Sequence, residues 1–202
     1  MSGADNRFVF RFPHDPDFTR PKEWIVQGLL AREQVSVFTA PPENFKSTIA
    51  ADLAGSVAAG MDWFDHATQQ VDVLYIAAER AVVTERQLRA FMELHNLRHL
   101  RVAVCRDRVN FLAGQDVEQL ICSIRQHVEQ SGHAVGLIVI DTVRATMVGG
   151  DENSPRDMAR FTMSVADLAE ATNAHVILIH HPPKSRPNDA VTDHCGLPSM
   201  FT

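Results

Sequence analysis

Val37-Phe38-Thr39-Ala40-Pro41-Pro42-Glu43-Asn44-Phe45-Lys46-Ser47-Thr48 is the stretch that decides the fold. Residues Gln34 to Thr39 (QVSVFT) have the β-branched, alternating character of a strand, and Lys46 to Ala59 is an Ala- and Leu-rich run with helical spacing. A strand, a short loop and a helix in that order gather backbone N–H groups and a helix N-terminus around one point, which is how proteins hold phosphates. In the pattern G-x-x-x-x-G-K-S/T the lysine reaches the β and γ oxygens and the hydroxyl ligates Mg²⁺. Lys46 and Ser47 fit those two roles. Ala40, Pro41, Pro42, Glu43, Asn44, Phe45, Lys46, Ser47 and Thr48 together form the candidate cradle for ATP.

The stretch departs from that pattern at both glycines, where Ala40 and Phe45 stand. The second glycine normally lets the backbone approach phosphate closely, often in a conformation that a residue with a Cβ adopts only at a cost. Phe45 serves there only if its backbone tolerates the turn and its ring points away from the nucleotide. The competing reading is a surface loop with a chance Lys-Ser pair.

Outward from this unit, strands and helices keep alternating. Val71 to Ala77 (VDVLYIA) reads as a buried strand, and Thr84 to Leu97 as an amphipathic helix. Arg101 to Val104 is a short strand, and Asp116 to Ser131 a helix with an acidic N-cap at Asp116 and Gly132 past its end. Leu137 to Ile140 is an apolar run that ends at Asp141, Arg156 to Thr172 a helix, and Val176 to Ile179 a last strand running into His180 and His181. Wholly apolar strands that alternate with helices imply a mainly parallel sheet covered on both faces, a three-layer α/β domain. Residues 1–23, broken by Pro13, Pro16 and Pro21, read as an irregular arm. Trp24, Ile25, Val26, Leu29 and Leu30 form an apolar cluster expected to pack on the domain's edge, with the main domain spanning 24–202.

Composition narrows the classes. An apolar fraction of 45% and a charged fraction of 22% suit a globular domain, and no run approaches the ~18 apolar residues of a membrane-spanning helix. The N-terminus lacks the signature of an export signal, so a cytoplasmic location is expected. Cys105, Cys122 and Cys195 are too few and too scattered for a disulfide framework. A net charge of −6 counts against a surface that coats nucleic acid, yet leaves room for a few loops to touch a single strand. Arg144 to Pro155 and Pro182 to Pro198, which holds Lys184 and Arg186, are the two loops placed to do so.

Carboxylates at strand ends carry the remaining chemistry, because ligands of open α/β sheets sit at the strands' carboxyl ends. Asp141 would organise Mg²⁺ beside the Ser47 hydroxyl, and Glu79, after the strand ending at Ala77, would polarise an attacking water. A capping Asp and a solvated Glu are the plainer alternatives. His180 and His181 would reach the same edge, where one could sense a γ-phosphate; a zinc site competes, but no third ligand has persuasive spacing.

In this order the motifs resemble those of the RecA-like ATPases related to RepA-type hexameric replicative helicases, a group of AAA ATPases. The likeness runs from Trp24 to Lys184 through EWIVQGLL, VFTAPPENFKST, VLYIAAER, LIVIDTVRATMVGGDENSPRDMARF and VILIHHPPK. It implies a RecA-like fold, ATP and Mg²⁺ as ligands, Lys46 and Ser47 as the phosphate-loop pair, Glu79 as the catalytic glutamate, Asp141 as the Mg²⁺-organising aspartate, and His181 as the residue ending the sensor strand. It further implies a hexameric hydrolase acting on single-stranded DNA during replication. Two departures from the family are the glycine-poor loop and a tail that stops at Thr202, where members continue into segments that supply the subunit interface and a trans-acting arginine. Two functions therefore stay open: a Mg²⁺-dependent ATPase of helicase type, and a nucleotide-binding accessory module without turnover.

Overall fold

A computed structural model describes residues 12–15, 21–40 and 44–180. Its elements, in chain order, are β1 (Trp24–Val26), β2 (Leu30–Ala31), β3 (Val35–Thr39), α1 (Lys46–Ala59), β4 (Asp72–Ala77), α2 (Ala81–Leu94), β5 (Val102–Cys105), α3 (Gly114–Ser131), β6 (Val135–Asp141), a 3₁₀ turn at Arg144–Thr146, α4 (Pro155–Thr172) and β7 (His175–His180). Five of the strands form one sheet in the order β3-β7-β6-β4-β5, every pairing parallel.

The order explains the layers. From β3 to β4 to β5 the chain moves one way across the sheet, and from β5 to β6 to β7 it moves back. Right-handed crossovers then put α1 and α2 on one face and α3 and α4 on the other. The core divides accordingly. Along β6, Leu137 and Val139 pack with Leu53, Val57 and Leu88 of the first helix pair. Ile138 and Ile140 pack with Val117, Ile124, Phe161, Val165 and Leu168 of the second. Because both faces are covered, β6 and β7 are buried along their whole length and show no polar alternation. This is the three-layer α/β fold expected from the sequence.

Several boundaries differ from expectation. The helix expected over 84–97 runs from Ala81 to Leu94, because the turn after β4 is short and the backbone carbonyl of Arg80 already accepts from Val83 and Thr84. Asp116 does not cap α3: the helix begins at Gly114, and the Asp116 carboxylate accepts instead from the Asn110 backbone N–H at 3.0 Å. Trp24–Val26 and Leu30–Ala31 pair as a two-stranded antiparallel ribbon, with Ile25 and Val26 buried against α1 and its neighbours. The start of α4 follows its sequence signal, since Ser154 accepts from the Asp157 N–H and Pro155 occupies the first turn, where no hydrogen bond is lost.

Packing of α1 against α2 is close because α1 is built from small residues. A Cβ added at Gly55 would lie 2.8 Å from the Phe91 ring. That contact fixes the height of α1, and hence of its N-terminal turn, over the sheet.

Candidate functional site

Strand parity aims the key carboxylate. In β6 the odd-numbered residues Leu137 and Val139 face α1, and Asp141 continues that series at the strand's carboxyl end. Lys46 opens α1 directly after the loop that leaves β3. It is buried, only 6% exposed, and its ammonium donates back to the Ala40 carbonyl at the loop's start. Burial lowers the Lys46 pKa from its ordinary value, while the nearby Asp141 carboxylate acts to raise it. A cation kept in a desolvated place, facing an anion across the sheet edge, is what a polyphosphate site requires.

Phe45 shows how a loop without its glycine is accommodated. Its backbone is left-handed, φ 53° and ψ 18°, the conformation that glycine adopts without steric cost. Its side chain is 74% exposed. The ring thus points away from the protein, while the strain stays in the backbone. Pro41, Pro42 and Glu43 of the candidate cradle lie outside the described residues. Asn44, Ser47 and Thr48 lie at the head of α1, and Thr48 accepts from the Gln87 side chain of α2 at 2.9 Å.

Glu79 is exposed, two residues beyond β4, and its Oε1 accepts from the Thr142 hydroxyl at 3.1 Å. Thr142 follows Asp141, so the exits of β4 and β6 are tied together. Asp141 itself is buried, with its Oδ2 accepting from the Tyr75 hydroxyl at 2.9 Å. Lys46, Asp141 and Glu79 are therefore gathered at one edge.

His180 ends β7 on the opposite parity, facing α3 and α4, and its Nε2 lies 3.8 Å from the Glu152 carboxylate. Glu152 also lies 4.0 Å from the guanidinium of Arg144. The loop from Arg144 to Pro155 is thus partly ordered and turned inward at Glu152. His181 and the loop from Pro182 to Pro198 lie outside the described residues.

Tyr75, Thr142, Gln87 and Glu152 are site neighbours that sequence reasoning missed. Strand parity could have found Tyr75, since it shares a face with Asp141 on a neighbouring strand. Glu152 and Gln87 reach the edge by long-range packing and carry no local signal. A cavity of about 910 Å³ lies elsewhere, along β5 beneath α3, lined by Leu74, Cys105, Leu120 and Ile124. It is open because β5 presents only the small Ala103 and Cys105 on that face.

A three-layer parallel sheet with a lysine-headed helix and two carboxylates at its carboxyl edge defines the class of P-loop nucleotide-binding domains. A family model described as an AAA domain matches residues 7–187, and the chain belongs to that family. It is therefore a nucleotide-binding domain of ATPase type. No curated protein matches the chain, and no helix among the described residues is long and apolar enough to cross a membrane.

Proposed function

We propose that this chain binds ATP with Mg²⁺ and hydrolyses it, as the ATPase domain of a RepA-type replicative helicase or related DNA-associated motor in the cytoplasm. The observation that carries the reading is the buried Lys46 ammonium at the head of α1, on the same side of the sheet as Asp141. Family membership supports the nucleotide as ligand. Single-stranded DNA and hexameric assembly rest on the likeness of the motifs.

In this mechanism the first-turn amides of α1 and the Lys46 ammonium neutralise the β and γ phosphates. The Ser47 hydroxyl and the Asp141 carboxylate are hard oxygen donors of the kind Mg²⁺ prefers, so the residues present fit the ion. Held by these two residues, Mg²⁺ would supply positive charge that offsets that of the phosphates. Glu79 accepts a proton from the water that attacks the γ-phosphorus, and the β–γ bridging oxygen leaves with ADP. Thr142 holds Glu79 for that task.

Phosphate release measured with and without single-stranded DNA tests the reading. Loss of release in Lys46→Ala and Glu79→Gln is expected; wild-type rates in both would remove it. One observation favours a second reading, a module that binds without turnover: the left-handed backbone of Phe45 puts a Cβ where glycine normally stands. Tight binding of a fluorescent ATP analogue with no phosphate release would select it.

A further inference from the structure

Tyr75 is, among the described residues, the one large polar side chain in the sheet's α1-facing core that reaches the candidate site. It is fully buried amid Val73, Leu137, Val139 and Leu88, where a phenylalanine would satisfy packing alone. A buried phenol needs a partner for its hydroxyl. Tyr75 finds it in Oδ2 of Asp141, at 2.9 Å across from the neighbouring strand. That bond ties β4 to the end of β6.

The terminal torsion of an aspartate is broad, so an unrestrained carboxylate samples many orientations. Engaging one oxygen fixes the plane of the group and leaves the other to face outward. We propose that Tyr75 is a positioning residue that presents the Asp141 carboxylate to a divalent cation. The inference rests on the proposed Mg²⁺-nucleotide reading of Asp141. The phenol suits the task because its O–H is a donor that stays protonated at neutral pH. Outer-sphere partners of this kind typically change metal affinity by about 10- to 100-fold when removed.

The test titrates Mg²⁺ against the binding of a fluorescent ATP analogue in wild type, Tyr75→Phe and Asp141→Asn, with nucleotide binding in a chelator recorded for each. Tyr75→Phe is expected to raise the half-saturating Mg²⁺ concentration about tenfold or more and to leave metal-free nucleotide affinity at the wild-type value. A merely structural tyrosine would lower thermal stability without moving the Mg²⁺ midpoint, and that result overturns the proposal. If Tyr75→Phe does not fold, an unmoved midpoint in Tyr75→Met, which also lacks the donor, overturns it equally. An Asp141→Asn midpoint equal to wild type removes the reading of Asp141 itself and the inference with it. A shift in Asp141→Asn with none in Tyr75→Phe leaves that reading standing and sinks the inference alone.

Discussion

The Thr142 hydroxyl donates to Oε1 of Glu79 at 3.1 Å while its own oxygen receives the Ala145 N–H at 3.4 Å. One hydroxyl thereby holds the exposed glutamate to the turn after β6. Glu79→Gln should abolish phosphate release and preserve nucleotide binding. Thr142→Val should lower the rate about tenfold, the worth of one hydrogen bond to a charged group, with nucleotide affinity little changed and Thr142→Ser restoring the rate. Single-turnover phosphate release beside equilibrium binding separates the two effects.

Phe45 carries backbone strain that glycine would not. A left-handed conformation costs a residue with a Cβ about 1–2 kcal/mol, and the extra unfolded-state freedom of glycine returns about 0.4–1 kcal/mol of that. Phe45→Gly should therefore stabilise the protein by roughly 0.5 kcal/mol, since its exposed ring gives up little packing. Phe45→Val, β-branched in the same backbone, should destabilise it. Chemical denaturation midpoints of the three proteins check the order.

Acid should weaken the fold through His175. Its ring is buried between the Ala31 carbonyl, 2.6 Å from Nδ1, and the Ser36 hydroxyl, 3.0 Å from Nε2. Nδ1 must donate to the carbonyl, and in the neutral ring Nε2 accepts from the Ser36 hydroxyl. Burial lowers its pKa below the ordinary 6.5, with the bond to the Ala31 carbonyl opposing. The unfolded chain then binds a proton that the native ring refuses, so this contribution is complete above pH 6.5 and is lost as pH falls towards the lowered native value. Stability measured from pH 8 to 5 should fall on the acid side, and His175→Gln should flatten that limb.

Glu152 anchors the loop before α4 through His180 and Arg144. Glu152→Ala should free the segment from Met147 to Ser154, seen as severalfold faster cleavage there in limited proteolysis, with the helices equally protected in both proteins. Equal cleavage would show that the Glu152 contacts do not hold the loop.

Much of the fold was legible because parallel strands declare themselves. LIVI before Asp141 and VILI before His180 have no polar alternation, which only a doubly covered sheet accounts for. The helix after β4 was misplaced by three residues because its first turn, Ala81-Val82-Val83, looks like the end of a strand and lacks a side-chain cap. The ribbon of β1 and β2 was hidden because strands of three and two residues are too short to show a period. At the site, Lys46, Asp141 and Glu79 were legible from their places at element ends. Thr142 and Glu152 were not, because their partners lie 63 and 28 positions away along the chain, and Tyr75 shows only through strand parity.

Calorimetric titration of Mg²⁺-ATP into the wild type and into Lys46→Ala tests the central claim most directly. One saturable site in the folded wild type, lost in a variant with unchanged secondary structure, is the expected result. No heat of association in the wild type, or equal affinity in the variant, would contradict it.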